Sequence, residues 1–409
     1  MKQILILIIA MSTLCLYSCK ETEDYNSVNS GQDRDSDEIT GDNYVYHLPV
    51  IFHVFYKNNS DKNKITMSRL QEILGNVNEL YEGITYPNML SATASENIHV
   101  QFELALYDEN GNKLGTPGVE YVKYPSSLDS IDCNEFMKGK QYARYMWDPN
   151  NYINVMVYNF KQVKSTEITL GISNLPYQGA GYPQIEGLTK TKYANLYKNN
   201  LSNPYCVSLN AIFIDKKYEG SRYTTDKNKK LYTHSSYDPN ATLAHEFGHF
   251  LGLKHVFTEL DDEEDGKAIV STRATASADP CEDTDFCDDT PSYDRDAYTE
   301  WVNNYEIQAK KENPDTIIGL HYVTIRVNNK GQTWQADNMM DYSYCYNVRF
   351  TQDQAYRMRQ VLYYSPLIPG PKKARTGSRA AVETPEGPID LPIVLSKART
   401  IKTNLIKIK

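Results

Sequence analysis

The sequence is poor in positive charge, with 43 lysines and arginines against 52 aspartates and glutamates and a formal net charge of -9. A nucleic-acid-binding protein needs a basic face that neutralises phosphates, and no such face is visible, so nucleic acid is excluded as a partner. No internal repeats are evident. Hydrophobic residues make up 40% of the chain, which excludes a wholly disordered protein and suffices for one large domain with two lobes, or for two domains.

The amino terminus carries a hydrophobic run that is too short to span a membrane. The run extends from Ile4 to Leu16, follows Lys2 and leads into small or polar residues. A helix of this length would measure about 20 Å, whereas the hydrocarbon core of a bilayer is about 30 Å thick. The pattern is typical of a secretion signal over residues 1–18, and a permanent transmembrane helix is the less favoured interpretation.

Leu16, Tyr17, Ser18 and Cys19 resemble the lipobox of bacterial lipoproteins, in which the cysteine is acylated and becomes the new amino terminus. The acidic stretch that follows is similar to the one that directs Bacteroidetes lipoproteins to the cell surface. The resemblance implies a lipid on Cys19. We therefore expect an exported chain that is anchored to a bacterial membrane, with the outer membrane favoured; the sequence does not indicate which face of that membrane carries the protein.

The rest of the chain divides into three parts. Residues 19–43 are acidic and offer almost nothing to bury, which predicts a solvated tether. Residues 44–366 are expected to form the globular domain, with an upper lobe over about 44–252 and a lower lobe over about 253–366. Residues 367–409 are rich in basic residues with interspersed prolines and glycines, and we expect a flexible or weakly packed appendage there.

The upper lobe is predicted to be a sheet backed by a helix. Alternating or β-branched runs predict strands at His47–Tyr56, Ile98–Tyr107, Tyr152–Phe160 and Ser208–Asp215. Apolar residues from Leu70 to Ile84 recur at helical spacing behind a candidate capping box of Ser68 and Gln71. The predicted fold class is therefore α+β, with a mixed twisted sheet and a long backing helix.

Two more helices are predicted. Asp238 and Pro239 are an N-cap and a first helical residue for a helix that runs into the segment described next. Thr351 and Gln354 form a candidate capping box for a last helix. Between them, residues 259–334 have a poor pattern, and we expect an irregular lower lobe.

The segment from His245 to His255 reads HEFGHFLGLKH and carries the strongest functional signal. His245 and His249 are four residues apart, so on a helix both rings leave one face and can reach one metal ion at about 2.0–2.1 Å. Gly252 can adopt a left-handed conformation that ends the helix and returns His255 to the same ion. Three histidine ligands with an open position are typical of a catalytic zinc.

Glu246 lies beside the first ligand, where a carboxylate can act as general base and then general acid. It would take a proton from a zinc-activated water that attacks a peptide carbonyl, and pass it to the leaving amine. The alternative is a helix with ordinary core or surface histidines, because an isolated HExxH is a modest signal. Here three of eight histidines, a glutamate and a glycine match together, which favours the metal site.

The extended pattern, followed by Asn338, Met339, Met340, Asp341 and Tyr342, resembles the metzincin metalloproteases and in particular their pappalysin-like branch. The resemblance implies that Met340 forms an apolar floor beneath the zinc. It also implies that Tyr342 is a switching ligand or an oxyanion stabiliser in the transition state. Taken alone, these residues would indicate a buried methionine turn and no more.

Three other segments resemble parts of the same family: MWDPNNYINVMVY its central strand, CDDTP its Asp-Thr-Pro segment and RFTQDQAYRM its final helix. In the family, acidic residues around the Asp-Thr-Pro segment can hold calcium, which prefers several oxygen ligands in a flexible loop. The resemblance implies Ca²⁺ as a candidate second metal, with Asp283, Asp285, Asp288 and Asp289 as candidate ligands. A solvated acidic loop is an equally weighted alternative.

Five cysteines lie beyond the signal and the lipid site: Cys133, Cys206, Cys281, Cys287 and Cys345. In an oxidising compartment they can form up to two disulfides, and Cys345 with Cys281 or Cys287 would tie two segments that flank the site. In some relatives a cysteine before the methionine turn pairs with one after it, and this chain has no cysteine at the matching position before the turn. It also has Ser343 and Tyr344 in place of the acidic residue that accompanies arginine preference in the pappalysin-like branch, so substrate preference is not implied.

The sequence thus predicts an exported zinc metalloendopeptidase that cleaves proteins or peptides in a cleft between two lobes; it does not indicate an oligomeric state. One alternative is a surface binding lipoprotein without proteolysis, which Glu246 disfavours because a structural zinc needs no carboxylate beside it. Another is a metal-dependent amidase that acts on cell-wall or glycan amides, which His255 and the methionine turn disfavour.

Overall fold

A computed structural model describes residues 43–83, 94–125, 128–219, 235–259, 268–269, 279–342, 344–372 and 385–402. The predicted signal, the lipid site at Cys19, nearly all of the tether, Ile84 and Ser343 lie outside the described residues. Within those ranges, no helix is long and apolar enough to cross a membrane.

The fold combines helices with a mixed sheet. The described strands are β1 (Tyr46–Tyr56), β2 (Val100–Leu104), β3 (Val119–Lys123), β4 (Ile153–Tyr158), β5 (Glu167–Ser173), β6 (Tyr177–Gln178), β7 (Thr189–Lys190), β8 (Val207–Asn210), β9 (Ala268–Ile269), β10 (Ile325–Val327), β11 (Thr333–Gln335), β12 (Ile393–Val394) and β13 (Arg399–Lys402). The described α-helices are α1 (Met67–Tyr81), α2 (Cys133–Lys138), α3 (Pro239–Phe250), α4 (Arg295–Glu312), α5 (Leu320–Val323) and α6 (Gln352–Tyr364).

A seven-stranded sheet forms the core of the upper lobe, in the order β13-β5-β8-β4-β1-β2, with β3 beside the second half of β1. The strands β1 to β4 and β8 are parallel, whereas β5 and β13 are antiparallel to their neighbours. The predicted α+β class with a mixed sheet is confirmed. The two antiparallel strands β5 and β13 therefore form one end of the sheet. This end of the sheet lies next to the candidate site described below.

The predicted backing helix is confirmed as α1, whose buried face consists of Leu70, Ile73, Leu74, Val77, Asn78, Leu80 and Tyr81. The predicted capping box of Ser68 and Gln71 is wrong. The N-cap is Thr66, whose side chain accepts a hydrogen bond from the backbone N–H of Arg69 at 3.3 Å. Two hydroxyl residues lie close together here, and apolar spacing does not discriminate between starts two residues apart.

Strand predictions are correct where apolar residues run without interruption. The strand at Tyr152–Phe160 is confirmed as β4, and the one at Ile98–Tyr107 is shorter, as β2. The one at Ser208–Asp215 is wrong beyond Asn210, where a 3₁₀ turn begins and the Asn210 side chain accepts a hydrogen bond from the Ile212 amide at 3.4 Å. When an asparagine side chain accepts a hydrogen bond from the backbone amide two residues later, the chain turns and the strand ends.

The lower lobe is more regular than the sequence predicts. Residues 259–334 include the 18-residue helix α4 and the hairpin of β10 and β11, so the expectation of an irregular segment is wrong for these parts. Helix α4 buries only Val302, and a helix that is polar all round gives no amphipathic signal. By contrast, the predicted last helix is confirmed as α6, with the capping box of Thr351 and Gln354.

The expectation of a weakly packed carboxy-terminal appendage is wrong for residues 385–402. We call residues 392–402 the carboxy-terminal segment. Its strand β12 pairs with β9, and β13 joins the main sheet along β5. Val394, Leu395 and Ile401 are buried, so the segment is part of the folded core.

The disulfides expected from the cysteine count are not formed, because the five described cysteines are all thiols. Each candidate sulfur bonds elsewhere: Cys281 Sγ accepts from the backbone N–H of Asn329 at 3.4 Å, and Cys345 Sγ lies 3.2 Å from the carbonyl oxygen of Asn338.

Candidate active site and metal centre

Helix α3 carries the first two histidines of the motif. It starts as predicted, with Asp238 as the N-cap, whose side chain accepts hydrogen bonds from the amides of Asn240 and Ala241, and with Pro239 at the first helical position. Every residue of α3 is buried, because the helix contacts β5, β8 and α1. A helix held on several sides gives its histidines a fixed direction.

Gly252 ends the helix as the sequence predicts. Its φ of +93° lies in the left-handed region, and the N–H of Leu253 returns to the carbonyl of Gly248 at 2.9 Å. A Cβ at position 252 would lie 2.6 Å from Val361 Cγ2. Glycine is therefore required for its conformation and for its space, and the turn brings His255 back to the helix face.

The three histidines meet at one point. The Nε2 atoms of His245, His249 and His255 are 3.1 Å from one another in each pairing. Each Nδ1 faces an oxygen: His245 that of Met339 (2.8 Å), His249 that of Leu253 (2.8 Å) and His255 the Glu259 carboxylate (2.7 Å). Because these oxygens only accept, each Nδ1 carries the proton, and the three Nε2 lone pairs converge.

This donor set fits zinc. Tetrahedral ligands at about 2.0–2.1 Å from zinc would be separated by about 3.3 Å, close to the observed distances. Among the described residues, these three histidines form the cluster of side chains that could hold a metal ion. Burial lowers the pKa of His245 and His249 well below the ordinary value, which favours the neutral rings that a metal requires.

Glu246 lies on the same helix and is completely buried. Neither carboxylate oxygen has a hydrogen-bond partner among the described residues. Burial raises the pKa of this carboxyl well above the ordinary value, and the charge of Arg399 opposes the rise. A buried carboxyl without partners costs stability, so its presence beside the histidines indicates a functional role rather than a packing role.

Met340 lies beneath the helix. It is fully buried, and a Cβ at Gly248 would lie 2.5 Å from its Sδ, so the thioether packs directly against the backbone of α3. The turn that carries Met340 is held by Asn347, whose side-chain amide donates to the carbonyl of Asp341 at 2.9 Å. The sequence gives no signal for the part that Asn347 plays.

Tyr342 stands beside the histidines. Its ring centroid is 4.4 Å from that of His255 and 5.9 Å from that of His245. Its hydroxyl donates to the carbonyl oxygens of Lys397 and Ala398, at 3.2 and 2.9 Å. The residue predicted to stabilise a transition state is thus bonded to the carboxy-terminal segment.

Sequence reasoning missed two charged residues of the site. Glu259 is buried and accepts a hydrogen bond from His255 Nδ1, four residues earlier, at 2.7 Å. Burial alone would raise the pKa of Glu259, but its interaction with His255 lowers that pKa. The i,i+4 spacing is a signal that could have identified Glu259. Arg399 is distant in sequence, and only the pairing of β13 with β5 brings it to Glu246.

The four aspartates that the resemblance implies for calcium do not converge as ligands among the described residues. Asp285 is buried and accepts from Thr290 Oγ1 at 2.6 Å and from the Cys287 amide at 2.9 Å. Asp283 accepts from the Asp285 amide at 3.0 Å. The Asp289 carboxylate accepts from the backbone N–H of Asp353 at the start of α6, at 3.0 Å, and the Asp353 carboxylate accepts from the backbone N–H of Asp289, at 3.2 Å. Asp288 is exposed. These carboxylates serve turns and helix ends, and calcium receives no support.

Comparisons with known proteins agree with this site. Residues 191–363, which include the three histidines, Glu246 and the methionine turn, match the model of peptidase family M43, described as pregnancy-associated plasma protein-A. The matched residues cover less than half of the chain, and over them the chain is similar to this metallopeptidase family. A comparison with curated protein sequences gave no match.

A comparison with solved structures matched mirolysin. Mature mirolysin of Tannerella forsythia in complex with a cleaved peptide is 19% identical, with a TM-score of 0.44, over 77% of this chain and 90% of that one. A mutant of T. forsythia promirolysin is 18% identical, with a TM-score of 0.44, over 78% and 81% of the two chains. Mirolysin in complex with a compound is 20% identical, with a TM-score of 0.45, over 77% and 91%.

Proposed function

We propose that this protein is a zinc-dependent endopeptidase that hydrolyses proteins outside the cytoplasm. The observation that supports the proposal is the convergence of three Nε2 atoms, 3.1 Å from one another, next to a buried carboxylate that has no hydrogen-bond partner among the described residues. The chemistry of the donor set is that of a catalytic zinc, with three histidines and a general base.

Each residue has a distinct role in the proposed reaction. A zinc ion held by the three histidines would polarise the scissile carbonyl and lower the pKa of a water molecule. Glu246 accepts the proton of the attacking water and delivers it to the leaving amine. The hydroxyl of Tyr342 donates a hydrogen bond to the oxygen on which negative charge develops. Glu259 fixes the orientation of His255 through Nδ1.

Zinc binding is tested without reference to activity. His249→Ala removes one of three ligands and should weaken zinc affinity by more than about 100-fold, because even the loss of an outer hydrogen bond costs 10- to 100-fold. His321→Ala, at an exposed histidine of α5, is the matched control and should leave affinity unchanged. Competition with a chromophoric chelator measures both. Equal affinities in the two variants would place the zinc elsewhere and overturn the proposal.

Activity is tested with Glu246→Gln and with Glu300→Gln, an exposed glutamate of α4, as the control. Denatured proteins are the substrate. The full chain is compared with a folded chain that is then cut between residues 373 and 384, because the carboxy-terminal segment contacts the site. Glu246→Gln should retain zinc and lose at least 10²-fold in cleavage rate, whereas Glu300→Gln should match the parent. Zinc binding without protein cleavage in either form would favour a binding lipoprotein; turnover of cell-wall amides instead would favour an amidase.

We further propose that the protein is exported and anchored by a lipid on Cys19, supported by the hydrophobic run and the cysteine that follows it. Cys19→Ala should move the protein from the membrane fraction to the soluble exported fraction, since a lipid chain no longer holds it. Cys133→Ala is the control. Unchanged membrane association of Cys19→Ala would contradict the anchor.

A further inference from the structure

The carboxy-terminal segment follows β5 along the edge that faces away from β8. Arg399 to Lys402 pair antiparallel with Gly171 to Glu167. Further upstream, the amide of Ser396 donates to the carbonyl of Ser173 at 2.9 Å, and the amide of Leu175 donates to the carbonyl of Val394 at 3.0 Å. An edge strand is the place where an extended peptide binds by strand addition, so the segment occupies such a peptide-binding edge.

The pairing is interrupted at the metal centre. Between Ser396 and Arg399 the chain leaves the regular ladder, and the carbonyls of Lys397 and Ala398 accept the hydrogen bonds of the Tyr342 hydroxyl. Because Tyr342 lies against the ring of His255, these two peptide groups lie beside the histidine cluster. A substrate would need to place its scissile peptide group in this same place.

Arg399 holds the segment in the site. The residue is 4% exposed, and its guanidinium donates to the carbonyl of Asp341 at 3.2 Å and to Asn347 Oδ1 at 3.1 Å. Asp341 belongs to the methionine turn, and Asn347 holds that turn in place. The side chain therefore links the segment to the turn beneath the histidines.

The histidines, Glu246 and Tyr342 are all at most 4% exposed. A centre that admits a polypeptide cannot remain this buried, and the carboxy-terminal segment is the element whose main chain lies at Tyr342. We propose that residues 392–402 are an autoinhibitory strand that occupies the substrate-binding edge of β5 and keeps the peptidase latent until the strand is displaced or removed. This inference rests on the proposed endopeptidase function.

The first test compares Arg399→Gln with Lys402→Gln in the full chain. Both variants lose one positive charge from β13, but Lys402 is exposed, and its amino group donates to Asn303 Oδ1 at 2.9 Å. Losing the buried charged hydrogen bonds of Arg399 should raise the open fraction, and hence the cleavage rate, by about 10- to 100-fold. Lys402→Gln should change the rate less than about twofold.

Hydrogen exchange provides a readout that does not depend on catalysis. Amides of β5 between Glu167 and Ser173 should exchange faster in Arg399→Gln than in Lys402→Gln, because the open strand loses its partner. This measurement uses the Glu246→Gln background, which prevents self-cleavage. Faster exchange together with faster cleavage by the variant with Glu246 intact supports the proposal.

A second test does not depend on the folding of Arg399→Gln. A recognition sequence for a site-specific protease is inserted between residues 373 and 384 of the full chain, and the folded protein is cut and diluted. Activity should appear on dilution, and a synthetic peptide of residues 385–409 should suppress it. The same peptide with Arg399→Gln should suppress it at least about 10-fold less potently.

The outcomes separate the two proposals. If the uncut parent cleaves proteins as fast as the cut and diluted form, the autoinhibitory role is overturned and the endopeptidase stands. If β5 becomes exchangeable but no form of the zinc-loaded protein cleaves any protein, the endopeptidase function fails, and the inhibitory role fails with it.

Discussion

Replacing Gly252 with alanine tests how far the turn after α3 is constrained. Two costs are expected. An alanine at a φ of +93° carries a left-handed strain of about 1–2 kcal/mol. Its Cβ would also lie 2.6 Å from Val361 Cγ2, and such overpacking of a core costs about 1–3 kcal/mol. We therefore expect Gly252→Ala to lower the free energy of unfolding by about 2–5 kcal/mol in total.

The chain contains a matched control for the strain alone. Gly331, in the turn between β10 and β11, has a φ of +75°, and a Cβ there would have no neighbour within 4 Å. Gly331→Ala should therefore cost only about 1–2 kcal/mol. Urea unfolding followed by circular dichroism, with a chelator present so that zinc linkage does not contribute, measures both losses. Zinc affinity should fall in Gly252→Ala and not in Gly331→Ala, because only the first turn positions His255.

A double-mutant cycle isolates the steric part. Val361→Ala removes the methyl group that the new Cβ would meet, so Gly252→Ala should cost about 1–3 kcal/mol less in the Val361→Ala background than in the parent. Equal losses for Gly252→Ala and Gly331→Ala, with no coupling to Val361, would refute the reasoning that close packing against α6 constrains this turn.

Two further predictions concern buried charges of the lower lobe and the end of α6. Arg326 is fully buried, lies 3.2 Å from Asp341 and packs against the rings of Tyr293 and Tyr298. Arg326→Leu leaves the buried Asp341 carboxylate without its ion-pair partner and should lower the free energy of unfolding by about 3–5 kcal/mol, whereas Arg144→Leu, at an exposed arginine, should lower it by less than about 0.5 kcal/mol. Similar losses for the two variants in urea unfolding would contradict this prediction. Lys372 is half-buried, and desolvation of its amino group lowers its pKa to about 7. Because the unfolded chain keeps this proton up to a pKa near 10.4, stability relative to Lys372→Met should rise between about pH 7 and pH 10, by at most about 1.4 kcal/mol per pH unit. Parallel pH profiles of urea unfolding would show that Lys372 keeps its proton in the folded chain.

Local patterns explain which parts of the fold were predictable. Helix α1 and strands β1 and β4 have uninterrupted apolar periodicity, because one or both faces are buried, and the sequence predicts them. Helix α4 buries one residue and has no such periodicity. Strand β13 pairs with β5 across more than 200 residues of chain, and a partner this distant leaves no local signal. The prolines and glycines before β13 favour an appendage instead.

The same distinction applies to the site. Histidines at i and i+4, with a glycine that turns the chain, are encoded within one segment, and their convergence follows from helix geometry. Arg399 depends on long-range strand pairing, and Asn347 acts from an irregular turn with a φ of +48°. No helical or strand period reveals either residue.

At two positions the elements around the site approach each other too closely for a side chain, which explains why glycine is found there although the backbone angles are ordinary. A Cβ at Gly171 of β5 would lie 2.7 Å from Glu246 Oε1, and one at Gly248 of α3 would lie 2.5 Å from Met340 Sδ. The first glycine lets the sheet edge pack on the general base, and the second lets the methionine pack under the histidines. Because β5 is also the edge that β13 covers, any chain that pairs with β5, whether substrate or carboxy-terminal segment, is brought to Glu246 by backbone pairing alone.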